Sequence, residues 1–242
     1  MAIPRSEPFR DQVCPLGVCD GSGWILGPED VARPCECREQ RLKKGRSKGV
    51  ASVIPPRYRG VSFDRPPVSD MARDLETKSA VSEVRAFVES LDEKLDEGRG
   101  LWLFGDTGTG KTTLAMLISK AAIESGQSVA IYSLPKLLAR IRQTYDTEPG
   151  SDSYLSFFER LTSVDLLHID DLGAEKRSDW VLEQLYALIN ERYEAQRSMM
   201  ITTNLAHDEL EDQIGIRTVS RLNQMCDEIS LFGSDRRYGK AA

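Results

Sequence analysis

The run Gly105-Asp106-Thr107-Gly108-Thr109-Gly110-Lys111-Thr112-Thr113 carries the most specific chemistry in this chain. It fits GxxxxGK[ST] completely, between a short apolar segment and a helical pattern. Glycines at this spacing let the backbone curl until successive N–H groups point inward, and a helix opening at Lys111 adds the partial positive charge of its N-terminus. The result is a cradle for a triphosphate. Lys111 is placed to reach the β- and γ-phosphates, and the Thr112 hydroxyl to ligate Mg²⁺. A chance glycine turn is the competing reading, and the agreement of both flanking elements argues against it.

Magnesium bound there calls for a carboxylate at the end of another buried strand. Leu166-Leu167-His168-Ile169-Asp170-Asp171 supplies two. Asp170 is the Mg²⁺ candidate, and Asp171 could orient an attacking water, because phosphoryl transfer relies on positioning and charge stabilisation. A helix N-cap pair is the plainer alternative for adjacent acids. Met199-Met200-Ile201-Thr202-Thr203-Asn204 is a second apolar strand with a polar end. Asn204 could bond the attacking water or the γ-phosphate, although a lone Asn after a strand is more often a turn residue.

Four of the five cysteines fall in one stretch, as Cys14-x4-Cys19 and Cys35-x-Cys37, with Asp20-Gly21 and Gly23 offering turns between them. Both histidines, His168 and His207, lie far along the chain, so four thiols form the only complete local ligand set, and Zn²⁺ is the economical occupant. Tetrahedral Zn–S bonds of ~2.3 Å hold sulfurs about 3.8 Å apart. Residues i and i+2 of a strand rise ~6.6 Å, so Cys35-Glu36-Cys37 must bend. Unligated or redox-active thiols remain the alternative. Cys226 stands alone and reads as a small core residue.

These groups must be positioned by a larger frame. From Val81, apolar residues repeat at helical spacing through Leu95 and stop at Gly98 and Gly100. Strands are expected at 101–104, 128–132, 164–169 and 199–202, with helices at 111–122, from Leu134 to about Tyr145, around 154–161, and at 178–192. A Gly/Ser/Asp loop separates the second and third of these helices. Strands alternating with helices imply an α/β fold, a parallel sheet covered on both faces. Residues 51–75, with Pro55-Pro56 and Pro66-Pro67, read as an extended connector. The expected domains are therefore a cysteine-rich module at 1–50, the connector at 51–75, and the main domain at 76–242.

With 242 residues, 40% hydrophobic and 29% charged, the chain can bury a sizeable core yet has no apolar run long enough for a membrane span. MAIPRSEPFRDQV places prolines and charges where a leader would need an apolar stretch, so cytoplasmic residence is the expectation. The net charge of −6 conceals an asymmetry: residues 1–60 carry 11 Lys/Arg and 7 Asp/Glu, against 21 and 31 in the remainder. Arg38, Arg41, Lys43, Lys44, Arg46 and Lys48 form a basic run that could meet phosphate backbones or an acidic protein face, or be a solvated linker.

Taken together, IPPRYRGVSF, GDTGTGKTTLA, VDLLHIDDLGAEK, LYALINERY, MMITTNL and IGIRTVSRL resemble the DnaC/IstB group of AAA+ ATPases over about residues 51–242. The resemblance implies a P-loop NTPase (AAA+) sheet joined to the small zinc module, with ATP and Mg²⁺ as ligands. Its pattern assigns Asn204 as sensor and places an arginine finger, acting on a neighbouring protomer, at Arg221 with Arg217 as runner-up. Gly233, Asp235 and Arg237 match the group's G-x-[SD]-x-R pattern, and a chain ending at 242 implies a reduced helical lid.

Partners implied in the same way are a replicative helicase, or else a transposase, together with single-stranded DNA and further copies of the chain. Lys136 and Arg140, on the helix from Leu134, lie where related loaders face DNA, with Tyr145 and Tyr154 available for base stacking. A solvated basic face with Tyr145 in the core is the alternative reading. For the whole chain, helicase loading with ATP hydrolysis dependent on assembly stands beside two alternatives: a transposase helper and an ATP-gated adaptor with little turnover.

Overall fold

In the segments Leu101-Trp102-Leu103, Val129-Ala130-Ile131 and Met199-Met200-Ile201, successive apolar side chains enter two separate buried clusters. Successive residues of a strand point to opposite faces, so these segments are strands with a core on each side. The computed structural model describes residues 13–27, 31–47, 50, 53–145 and 153–238. The chain divides into two compact units, Met1–Arg46 and Ser47–Ala242. The amino-terminal stretch read for a leader and the 146–152 loop lie outside the described residues.

In the larger unit, β3 (Gly100–Gly105), β4 (Val129–Ser133), β5 (Leu166–Asp170), β6 (Ser198–Thr203) and β7 (Cys226–Leu231) form one sheet in the order β4-β5-β6-β3-β7. Every pairing is parallel. One face carries α3 (Lys78–Glu89), α4 (Leu91–Asp96) and α5 (Lys111–Glu124). The other carries α6 (Leu134–Gln143), α7 (Tyr154–Ser163), α8 (Asp179–Glu194), α9 (His207–Ile214) and α10 (Ile216–Met225). Among the described residues no helix is long and apolar enough to cross a membrane.

Three expectations change. The segment from Val81 to Leu95 is two helices that meet at Ser90. The fifth strand, β7, was not expected: of its six residues only Cys226, Ile229 and Leu231 are buried. Residues 51–75 are not a bare connector. Within the described part they hold a 3₁₀ turn (Pro56–Tyr58) and a short helix, α2 (Val68–Met71), and Val61, Val68 and Met71 are buried in the core under α5. Apolar anchors between the prolines outweigh the extended preference that the prolines impose.

The smaller unit pairs β1 (Trp24–Leu26) antiparallel with β2 (Ala32–Pro34) and continues into α1 (Glu36–Ser47). Its buried cluster is Cys14, Cys35 and Cys37, with Cys19 and Ile25 packed against it. Of the basic run, Arg38 lies with its guanidinium 4.1 Å over the Trp24 ring. The side chains of Arg41, Lys43, Lys44, Arg46 and Lys48 lie outside the described residues.

Two basic groups are buried in the larger unit, Arg192 on α8 and His168 on β5. Arg192 donates to the carbonyls of Leu161 (2.8 Å) and Ser198 (2.6 Å), and burial lowers its pKa to about 9, so it stays charged at neutral pH. His168 is fully buried on β5, its Nδ1 2.9 Å from Ser119 Oγ, and burial lowers its pKa to about 3. The folded chain thus holds His168 neutral, whereas the unfolded chain takes up a proton below pH ~6.5. Acid therefore favours unfolding, with the cost accumulating from pH 6.5 down to the folded value. His168→Asn keeps a polar partner for Ser119 but cannot titrate. In urea unfolding at pH 7 and pH 5, the wild type should lose about 2 kcal/mol more than this variant between the two conditions. Equal losses would show that His168 does not titrate on unfolding.

Candidate nucleotide site and cysteine cluster

The glycine-rich loop leaves β3 at Gly105 and enters α5 through Gly110, whose φ of +108° is open to glycine at little cost. Gly108, at φ +78°, must also lack a side chain: a Cβ there would lie 1.9 Å from Asp235 Oδ1. The C-terminal segment closes on this loop through further bonds. Arg236 N donates to Gly108 O (3.1 Å), and Gly233 N donates to Asp106 Oδ2 (3.0 Å). Lys111 is buried, and its Nζ donates to the carbonyls of Gly105 (2.8 Å) and Asp106 (2.5 Å). Burial lowers its pKa, and Asp171, Asp106 and Asp170 oppose that shift.

Asp170 stands at the carboxyl end of β5. Its Oδ1 accepts the hydroxyls of Thr112 (2.9 Å) and Thr202 (2.7 Å). Thr202 Oγ1 in turn accepts the backbone N–H of Asp171 at 2.9 Å. Asp171 adopts φ +58°, an uncommon conformation for a residue other than glycine. Burial, and then the neighbouring Asp170, raise its carboxyl above the usual range, against the pull of Lys111 and Arg237.

Asp171, Asn204 and Arg237 share one cavity of about 220 Å³ with Thr107, Gly108, Gly110, Lys111, Thr112 and Thr113. The remaining members of the run, Gly105, Asp106 and Thr109, shape the loop from behind, Thr109 Oγ1 donating to Asp106 O at 2.8 Å. Ligands of open α/β sheets bind at the carboxyl ends of the strands, and this cavity occupies that place. Two residues that sequence reasoning missed, Arg57 and Tyr58, complete its lining. Their only signal was a position inside the IPPRYRGVSF stretch.

Other candidates lie elsewhere. Arg221 is not part of this lining. It rests on α8, with its guanidinium 4.8 Å over the Tyr186 ring and Nη2 donating to Tyr186 Oη at 3.1 Å. Arg217 is exposed one turn earlier on α10. On α6, Lys136 is exposed, and Arg140 lies 5.6 Å over the Phe157 ring. Tyr145 is 52% exposed and stacks on Tyr154 with centroids 5.3 Å apart, so it is not the core residue of the alternative reading. Helix α6 ends at Gln143, which carries Tyr145 off the buried stripe.

In the smaller unit the sulfurs of Cys14, Cys19, Cys35 and Cys37 all lie within 4.8 Å of one another. Cys14 and Cys35 are 3.9 Å apart, and Cys19 and Cys37 3.5 Å. These separations match the ~3.8 Å of sulfurs around one tetrahedral Zn²⁺, so the residues fit such a metal. The bend that the Cys35-Glu36-Cys37 spacing demands occurs where β2 gives way to α1. Backbone N–H groups, that of Cys19 foremost, lower the Cys14 thiol to about 6, while burial pushes Cys37 up to about 12.

Residues 72–230 match the family model described as IstB-like ATP binding protein. The chain belongs to this family. Its members are AAA+ ATPases with the P-loop sheet described above. The chain is 26% identical over 186 residues to the replicative helicase loader DnaC of Escherichia coli K12, covering 76% of this chain and 72% of that protein. It is 23% identical over 230 residues to the replicative helicase loader DnaI of Bacillus subtilis, covering 90% and 71%. Among solved structures, a DnaC helicase loader superposes with a TM-score of 0.63 at 27% identity, over 73% of this chain and 99% of that one. The initiator DnaA bound to AMPPCP and single-stranded DNA shares the fold, with a TM-score of 0.60 at 18% identity.

Proposed function

We propose that this protein binds and hydrolyses ATP and couples that cycle to placing a replicative helicase on single-stranded DNA. The observation that carries the reading is the meeting of Lys111, Thr112, Asp170, Asp171 and Asn204 at the carboxyl ends of three parallel strands, in a chain that aligns along most of its length with helicase loaders. Lys111 and the loop N–H groups take the charge of the β- and γ-phosphates. The Thr112 hydroxyl and Asp170 carboxylate would hold Mg²⁺, which neutralises charge on the phosphate oxygens. Asp171, with its raised proton affinity, orients water toward the γ-phosphorus, and Asn204 bonds that water or the γ-oxygens. Lys136 and Arg140 on α6 offer single-stranded DNA cationic contacts, and the Tyr145–Tyr154 stack offers aromatic ones.

Lys111→Ala should abolish ATP binding in isothermal titration and helicase deposition on a single-stranded circle, while the variant still folds cooperatively. Unchanged ATP affinity in the folded variant would overturn the nucleotide assignment. Retention of a transposase in place of the helicase would redirect the reading to a transposition helper.

Zn²⁺ in the four-cysteine site would staple a unit whose buried cluster, among the described residues, is Cys14, Cys35 and Cys37 with Cys19 and Ile25 against them. Elemental analysis should return about one zinc per chain, lost in Cys35→Ser, with ATP affinity retained. Metal-free protein with four titratable thiols, purified without chelator, would contradict this.

Arg221 acts on a neighbour's γ-phosphate, a role its place outside its own chain's cavity supports. Turnover should then rise with protein concentration, and Arg221→Ala should lose stimulated turnover by something on the order of 10³-fold with ATP binding intact. Mixing Arg221→Ala protomers, whose sites are whole, with Lys111→Ala protomers, which keep the finger, should restore part of the activity. No recovery in mixtures shown to co-assemble would exclude action in trans.

A further inference from the structure

The cavity that Lys111 enters has a second wall, and that wall comes from a segment outside every nucleotide motif. Arg57 and Tyr58 line it together with the glycine-rich loop. The turn that presents them is firmly held. Tyr58 N donates to Pro55 O (2.8 Å), Val61 N donates to Tyr58 O (3.1 Å), and Lys120 Nζ on α5 donates to Val61 O (3.0 Å). Ile54, Tyr58 and Phe63 pack on the core beneath α5. Pro56 at the first position of the turn sets its backbone angle in advance.

Three cationic side chains face the cavity, and they are differently engaged. Lys111 is bonded to loop carbonyls. Arg237 is bound to its own neighbour, with Nε and Nη2 both donating to the Asp235 carboxylate at 2.8–3.2 Å. Arg57 has no carboxylate partner among the described residues, and its guanidinium lies 5.5 Å from the centre of the Tyr58 ring. A guanidinium on a hydrogen-bonded turn beside an anion cradle, with no ion pair among the described residues, is suited to a phosphate oxygen.

We infer that Arg57, supported by Tyr58, binds the terminal phosphate of ATP within its own chain. The cavity that Arg57 lines also holds Asp171 and Asn204, the strand-end groups that the nucleotide reading assigns to the γ-phosphate. Burial raises the Tyr58 phenol pKa; the neighbouring Arg57 opposes that shift, and Asp170 and Asp171 add to it. The chain thereby distinguishes ATP from ADP through a residue other than Asn204, before any neighbour contributes a finger. This inference rests on the nucleotide reading of the cavity.

The test is isothermal titration of ATP and of ADP, each with Mg²⁺, into the full chain. Arg57→Ala should weaken ATP binding about tenfold, as expected for loss of one charge-assisted bond, and ADP binding less than threefold. Arg57→Lys should recover part of the ATP affinity. Arg57 is exposed, so the unfolding midpoint should not move. Equal weakening of ATP and ADP, or no weakening of either, would overturn the assignment. Lys111→Ala in the same series keeps the two failures apart. ATP binding that survives Lys111→Ala sinks the nucleotide reading itself, whereas binding lost there but untouched in Arg57→Ala sinks only the role of Arg57.

Discussion

Asp170 Oδ1 accepts two hydroxyls at once, from Thr112 at the start of α5 and from Thr202 on β6, and the arrangement of the nucleotide site follows from that junction. It ties the loop after β3 to the ends of β5 and β6, which come from distant parts of the chain. A carboxylate held by two donors has a single orientation, and Thr202 passes the constraint on by accepting the Asp171 N–H. The strained φ of Asp171 is thereby stabilised by its surroundings, as a non-glycine residue in that region requires. Pre-organised groups of this kind need not rearrange when charge develops on a transferring phosphoryl group.

The sheet order explains why this junction exists. With β6 between β3 and β5, its polar end, Thr202 and Thr203, stands between the phosphate loop and the paired acids. Both faces of the sheet are buried under helices, so lateral shifts of a strand would misplace apolar side chains on two cores at once. Arg192 and His168, buried in the same framework, are held by specific polar partners, and register errors would orphan those too.

The cysteine unit obeys a different economy of interactions. Among the described residues it has a two-stranded ribbon and one helix, and its buried cluster consists of three cysteines with Cys19 and Ile25 against them. Too little apolar surface is available for such a unit to hold itself together, and a ligated metal is the cross-link that domains of this size use. Here the thiols are close enough to share one ion.

Much of the protein was legible locally. The loop from Gly105 to Thr113, the acids after Ile169, the four cysteines and most strands and helices follow from spacing and periodicity, because those signals depend only on neighbours along the chain. The break at Ser90, strand β7 and the packing of residues 53–75 were not legible, since each depends on long-range contacts: Val68 and Met71 are buried only because α5 and the sheet lie over them. The site divides along the same line. Sequence by itself determined which residues could bind phosphate and metal. Packing alone brings Thr202 onto Asp170, Asp235 against Gly108, and Arg57 into one cavity with the phosphate loop. Convergence of side chains from separated segments is set by the packing of two cores, and no local pattern encodes it.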